Sequence, residues 1–413
     1  MDNLTHSLLG ALVGEAAARF LPAGKSVLPQ ATRRNLFVAL MVVGSNLPDL
    51  DLLYTSYAGG KLDYLLHHRG YTHTVLGAVA GAALMLFVTL VWLYRRRLPT
   101  SARDRLALAA LALLAPLLHI AMDAANSYGV HPFWPFNNDW LYGDSIFIIE
   151  PLFWATAAPL VFLLRSRFAR MLVVLILSLG IVLSSGTGLV PLPMTAGLVL
   201  LTLALLWVGW RHSGRRAVLA GLTAAAGVFC MFVLASHLAY RQVTAMVTAQ
   251  FPNAVLLDRV LTPMPVNPLC WETILVQLDQ DQYSLRRAIF ALAPAWFPAA
   301  RCPALNMKRA TTAVLAAVDA TDSDALRWYG ETTMSRAELQ SVARDNCEAA
   351  AFTRFARALF ISRREQHWLI GDLRFDREPG LGLAEFELTA NPASCPHNLP
   401  PWTPPRSDVL GTH

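Results

Sequence analysis

The sequence predicts a polytopic α-helical membrane protein of about eight membrane helices, followed by a C-terminal soluble α+β domain. Three observations carry that fold class. Of the 413 residues, 55% are hydrophobic and only 15% are charged, against roughly 25% charged in soluble domains. Apolar stretches of about 20 residues, the length that crosses a hydrocarbon core, recur through residues 1–236. From residue 237 onward charge density rises and short alternating segments replace them. The net charge of +6 lies in the first half, where 17 Lys and Arg accompany 10 Asp and Glu. It reads as a topology signal and not as a nucleic-acid patch.

Taken in order, six spans are clear: Thr74–Tyr94, Leu106–Ala124, Ile146–Leu164, Met171–Leu189, Leu192–Trp210 and Ala217–Ser236. Two are weaker. Leu4–Phe20 is interrupted by Glu15 and Arg19, and Leu36–Leu53 is closed by Pro48, Asp49 and Asp51; each fits a full span or a re-entrant helix. No Lys/Arg-led signal peptide with a small-residue cleavage site precedes the first apolar run, so the first helix is expected to be retained. Counted as eight crossings, one set of loops holds fifteen Lys and Arg, and the alternate set holds only Lys61 and Arg69. The positive-inside rule then makes the first set cytoplasmic. Both termini and the C-terminal domain are expected on the periplasmic face of a bacterial inner membrane. The expected division is a membrane-embedded core over 1–165, additional membrane helices over 166–236, and an extracytoplasmic domain over 237–413.

In that last domain Trp271–Leu278, Tyr283–Leu292, Ala358–Ser362, Trp368–Phe375 and Leu383–Leu388 alternate as strands do. Ala304–Asp319 and Ser335–Ala351 read as helices, the second with Ser335 placed to cap and Glu338 three residues on. Cys230 falls within a span, whereas Cys270, Cys302, Cys347 and Cys395 fall in the outer domain. An oxidising compartment would allow up to two disulfides, in any of three pairings.

The chemistry concentrates in the first third. His67-His68-Arg69-Gly70-Tyr71-Thr72-His73 packs three imidazoles and a guanidinium into seven residues, a pattern of metal ligands beside an oxyanion clamp. Three further clusters accompany it: His6 at the start of the first helix, Asp49 and Asp51 after Pro48, and His119 with Asp123 one helical turn apart. On the topology derived from Lys and Arg alone, all four clusters fall at the outer ends of their helices. The last three spans contain no ionisable residue except Cys230. The expected metal ligands are His6, Asp49, Asp51, His68, His73, His119, Asp123 and Asp144, with Arg69 and Glu150 as catalytic residues. His67 and His131 stand evenly between ligand and bystander. Imidazole and carboxylate donors without thiolate suit Zn²⁺, two or three ions, with Mn²⁺ or Fe as alternatives. Gly10/Gly14 and Gly77/Gly81 have the spacing that permits close helix contact. A Gly-rich phosphate loop, a CxxC pair and a GxSxG elbow are all missing from the sequence.

At these motifs the chain resembles a known group. Asp2-Asn3-Leu4-Thr5-His6-Ser7-Leu8-Leu9-Gly10, Leu47-Pro48-Asp49-Leu50-Asp51, His68-Arg69-Gly70-Tyr71-Thr72-His73-Thr74 and His119-Ile120-Ala121-Met122-Asp123 look like the bacterial YdjM/YbcI-type inner-membrane metal-dependent hydrolases. Gly143-Asp144 and Ile148-Ile149-Glu150-Pro151 also fit, with Glu150 standing where the family more often has Asp. The resemblance covers about the first 155 residues; beyond them only Gly371-Asp372-Leu373-Arg374-Phe375 is similar. It implies a distant relationship to zinc-dependent phospholipases C and P1-type nucleases, and hence phosphoester hydrolysis. The resulting expectation is a membrane-bound hydrolase acting at the outer face on a phospholipid or lipid-linked substrate, with membrane lipids as partners, no nucleic acid, and the oligomeric state open. Two other classes compete. A non-enzymatic metal-binding sensor or scaffold would carry a saturated metal or none, and a metal transporter would continue its ligands across the membrane.

Overall fold

The computed structural model describes residues 1–413 apart from 23, 25, 59, 213, 305–311, 365–366, 378–379, 390–394, 397 and 412–413. In chain order the first helices are α1 (Asn3–Phe20), α2 (Gln30–Gly44), α3 (Asp51–Ala58), α4 (Gly60–His67), α5 (Val75–Arg95) and α6 (Ala102–Ala124). They are followed by α7 (Pro151–Thr156), α8 (Leu160–Leu163), α9 (Arg167–Gly186), α10 (Leu192–Arg211) and α11 (Arg215–Gln250). Strands β1 (Val255–Met264), β2 (Asn267–Asp279), β3 (Gln282–Ala291) and β4 (Leu326–Ser335) come next. Then come α12 (Arg336–Asp345), α13 (Cys347–Phe352), β5 (Leu359–Arg364), β6 (His367–Asp372), β7 (Glu385–Leu388) and α14 (Ser407–Leu410). The chain forms two compact units: Met1–Leu50, Tyr71–Trp134 and Ile146–Phe232 make one, and Asp51–Gly70, Pro135–Ser145 and Val233–His413 make the other.

In the first unit α1 and α2 lie backbone to backbone because Gly10 and Gly14 present no side chain to α2. A Cβ on Gly10 would meet the Met41 carbonyl oxygen at 2.6 Å, and one on Gly14 would meet Val38 Cα at 2.7 Å. The second pair differs: a Cβ on Gly81 would lie 2.6 Å from the Leu47 side chain, and one on Gly77 would strike the Tyr71 carbonyl oxygen in the turn before α5. Phe37 and Met41 of α2 and Leu108, Ala112 and Ala115 of α6 are fully buried in one apolar cluster. Ser101 and Asp104 start α6 with a reciprocal capping box. Glu15, inside α1, is buried and takes Arg34 of α2 at 2.7 Å as well as Arg19. Two guanidinium partners offset the cost of burying this carboxyl group inside an apolar helix.

Among the described residues five helices are long and apolar enough to cross a membrane: α5, α6, α9, α10 and α11. A sixth results if α2 and Pro48–Thr55, bent by 53°, are one broken span. By length and composition the described residues thus supply five or six spans, which does not confirm the expected eight. Residues 146–164 do not form one helix, since α7 and α8 are short and separated at Ala157–Pro159. Pro159 lacks the N–H that a continuous helix requires. Helix α1 forms as expected but, with Glu15 and Arg19 in it, is not among the five.

The second unit holds an antiparallel four-stranded meander, β1-β2-β3-β4, and a three-stranded sheet, β5-β6-β7. Trp271 of β2 pairs with Phe290 of β3. Ala235, Ala239, Val243 and Val247 recur every fourth residue of α11 and bury against Leu261, Trp271, Leu275 and Phe290. Each of the five expected strands is found; β1 and β4 are additional. Of the expected helix Ala304–Asp319, residues 305–311 lie outside the described residues, and the described remainder carries a bridge from Ala316 to Glu331. Ser335 caps α12 by accepting the Glu338 N–H. The helix then breaks at Asn346, whose side chain restarts it by accepting the N–H groups of Glu348 and Ala349. Of the three cysteine pairings, the structure forms Cys270–Cys302 and Cys347–Cys395.

Candidate metal centre

Four local structures of the first unit bring ionisable side chains together. Asp2 caps α1, accepting the Thr5 N–H at 2.9 Å, and so sets His6 on the first turn with its side chain fully buried. Pro48 opens a 3₁₀ turn beyond the end of α2, which turns Asp49 out of the helical path. His73 closes another 3₁₀ turn just before α5, whose cap Thr74 accepts the Gly77 N–H. His119 and Asp123 share one face of α6.

These four elements converge. His73 Nε2 and His119 Nε2 face each other at 3.1 Å. Asp49 Oδ1 lies 3.3 Å from the first and 3.5 Å from the second. Asp123 Oδ2 lies 3.5 Å from both. One ligand atom from each of Asp49, His73, His119 and Asp123 falls within 4.8 Å of the others. His6 joins the rim: its ring stacks on His119 at 3.9 Å between centroids, and its Nε2 lies 3.3 Å from Asp123 Oδ1. The amino group of Met1 also pairs with Asp123.

The imidazoles are aimed from behind. His119 Nδ1 lies 2.7 Å from the Ser45 carbonyl oxygen. A carbonyl only accepts, so Nδ1 carries the proton and Nε2 offers a lone pair to the centre. His73 Nδ1 has Thr72 Oγ1 at 3.1 Å in the same outer position. The inward lone pair of His119 and two carboxylates around one buried point call for positive charge there. A donor set of two imidazoles and two carboxylates could hold a metal ion.

The other expected site residues are placed as follows. In the second unit His68 Nδ1 meets Asp51 Oδ1 at 3.0 Å, and the Arg69 N–H donates to Asp51 Oδ2 at 2.9 Å. Asp51 thus holds the His68-Arg69 turn, in which Arg69 adopts a φ of 62°, an uncommon conformation for a residue with a side chain. His67 lies 3.4 Å from Asp63, one helical turn back. Asp144 is also in the second unit and takes Arg357 bidentately, with both contacts at 2.8 Å. Arg357 bonds Asp258 as well, at 2.9 Å. Burial works to raise the Asp258 carboxyl, but Arg357 and Arg406 override it and hold it at about 2. Glu150, buried in the first unit, caps α7 by accepting the Leu152 N–H. His131 of that unit is buried too.

Two groups that orient the centre carry no ligand signal of their own in the sequence. The Ser45 contribution is a backbone carbonyl, which no side-chain motif reports, and Thr72 is visible only as the neighbour of His73. Arg357 lies 213 residues from Asp144, beyond any local pattern.

No solved structure matches the chain. A curated protein of Bacillus subtilis (strain 168), "Uncharacterized protein YfhP", is 28% identical over 151 residues, which make up 37% of this chain and 42% of that protein. The match thus spans less than half of the relative's length. Residues 1–189, which contain all four donors of the centre, match the model of the YdjM inner membrane protein family.

Proposed function

We propose that the chain is a membrane-bound metal-dependent hydrolase of phosphoester bonds in a lipid or amphiphilic substrate. The observation that carries this reading is the convergence of Asp49, His73, His119 and Asp123, with His119 locked so that Nε2 faces inward. These four would hold a divalent cation, most simply Zn²⁺. Such a cation, when bound, supplies Lewis acidity toward a phosphoryl oxygen and lowers the pKa of water. The protein's own share is to fix the donors, exclude bulk water by burial, and present Arg69 as a bidentate clamp for an anionic oxygen. In this reading Asp51 and His68 serve a second ion. Glu150 is its other candidate catalytic residue.

We infer further that the centre faces the extracytoplasmic side. Arg95, Arg96, Arg97, Arg103 and Arg105 occupy one end of the α5–α6 hairpin, while His73, His119 and Asp123 occupy the other. This local asymmetry supports the orientation without counting spans. The two disulfides of the second unit favour the same side.

The test is metal analysis of purified protein, wild type against His119→Ala, Asp123→Asn and His68→Ala, with a phosphodiester and phospholipid turnover screen. Wild type should retain zinc, the first two variants should lose it, and His68→Ala should lower the stoichiometry. Arg69→Ala should lower turnover with metal retained. Wild-type protein that takes up no metal under any loading condition would overturn the proposal. The full burial of His73, His119 and Asp123 favours a second reading, a non-catalytic metal-binding sensor. Metal-loaded protein without turnover on any phosphoester would select it.

A further inference from the structure

The second unit contains a cavity of about 940 Å³ between α12, the end of α13 and the C-terminal segment. Its walls are apolar in large part, with Leu399, Trp402 and Leu410 among them, and they carry two guanidinium groups, Arg344 and Arg354. Among the described residues no carboxylate lines it. Two acids of the neighbouring elements have partners of their own: Asp345 accepts from Ser341 at 2.8 Å, and Asp408 lies 3.7 Å from Arg406. Among the described residues neither Arg344 nor Arg354 forms an ion pair.

Arg354 is held in place from two sides. Its Nη1 donates to the carbonyl oxygens of Pro400 at 2.8 Å and Trp402 at 3.3 Å, and its own carbonyl accepts the Trp140 indole N–H at 2.9 Å. Trp402 is fixed in turn by donating its indole N–H to the Leu66 carbonyl at 3.1 Å. One terminal nitrogen is thereby used for anchoring, and the rest of the planar fork remains for a ligand. A preorganised guanidinium loses little freedom on binding an oxyanion. Arg344, exposed and also part of the lining, adds a second positive charge. The volume lies within the range of small-molecule sites.

We propose that this cavity binds a small amphiphilic anion, a phosphate or carboxylate head carrying a short hydrocarbon body, with the head between Arg344 and Arg354 and the body against Leu399, Trp402 and Leu410. The proposal stands on residues of the second unit alone and is independent of the metal centre.

The experiment is calorimetric titration of the full chain in phosphatidylcholine nanodiscs with hexyl phosphate, inorganic phosphate and hexyl glucoside. Empty nanodiscs report partition into lipid. Hexyl phosphate should saturate one site. Inorganic phosphate should bind at least tenfold more weakly, and hexyl glucoside should not saturate. Arg344→Ala should weaken hexyl phosphate about tenfold, as loss of a charge-assisted contact does, and Arg344→Glu should abolish binding. Arg344 makes no contact that holds the fold, so these variants should keep the wild-type thermal midpoint. Nanodiscs containing phosphatidylglycerol separate the two sources of such an anion: lower apparent affinity there identifies a bilayer headgroup as the occupant, and unchanged affinity identifies a soluble amphiphile. Equal heats from empty nanodiscs, equal binding of hexyl glucoside, or binding indifferent to Arg344→Glu would each overturn the assignment.

Discussion

Glu385 shows how a single buried side chain couples to pH. Burial raises its carboxyl to about 7, with Asp376 adding to the rise and the Gly382 N–H opposing it. Because the folded value lies above the ordinary 4.5, the group favours the fold most below that ordinary value. The stabilisation is lost as pH rises through about 7. Glu385→Gln keeps an acceptor for Gly382 and removes the titration. Its thermal midpoint relative to wild type should therefore climb by a few degrees between pH 5 and pH 8. A difference that stays flat with pH would remove the argument. At this same scale the sequence was most informative about the centre, since His6, Asp49, His73, His119 and Asp123 were all legible as chemistry-bearing residues. Spacing alone did not divide those five from Asp144. That carboxylate looks identical in sequence, and only a long-range guanidinium distinguishes its surroundings.

Helix contact makes its own prediction. At Gly14 any side chain would strike the α2 backbone, with Phe37 O 2.9 Å away besides Val38 Cα, and backbone cannot rotate aside as a side chain can. Gly14→Val should cost about 1–3 kcal/mol through enforced separation of α1 and α2. Since α1 carries His6 and α2 leads into Asp49, the variant should also retain less metal. Gly197→Ala on α10, where a Cβ meets nothing within 4 Å, should be neutral or slightly stabilising. A similar loss of thermal midpoint in both variants would assign the effect to lost glycine flexibility instead of contact. At the scale of elements, long apolar periodicity made α5, α6, α9 and α10 readable to within a few residues. It failed at 146–164, where composition is apolar but Pro151 and Pro159 divide the segment. Composition measures transfer into lipid, while continuity of a helix depends on single N–H groups. β4 was missed for a related reason: Gly330, with a φ of 156°, interrupts the alternation that marks a strand.

For the whole molecule, four of five cysteines are paired and only Cys230 remains as a free thiol. Labelling of denatured protein, prepared from membranes without reductant, should find one thiol before reduction and five after it. Five reactive thiols at the outset would place the second unit in a reducing compartment and undo the extracytoplasmic reading. Removing Cys347–Cys395, which closes a loop of sequence separation 48, should destabilise that unit by about 2–4 kcal/mol. The two units thus depend on their surroundings in different ways. The donors at Asp49, His73, His119 and Asp123 include no sulfur, so neither oxidant nor reductant alters their ability to ligate. The same exposure decides whether the second unit keeps its covalent staples. A cell under reductive stress would therefore meet a chain whose candidate donors are chemically unchanged while the segments that the two bridges close loosen, a failure set by where the sulfurs lie.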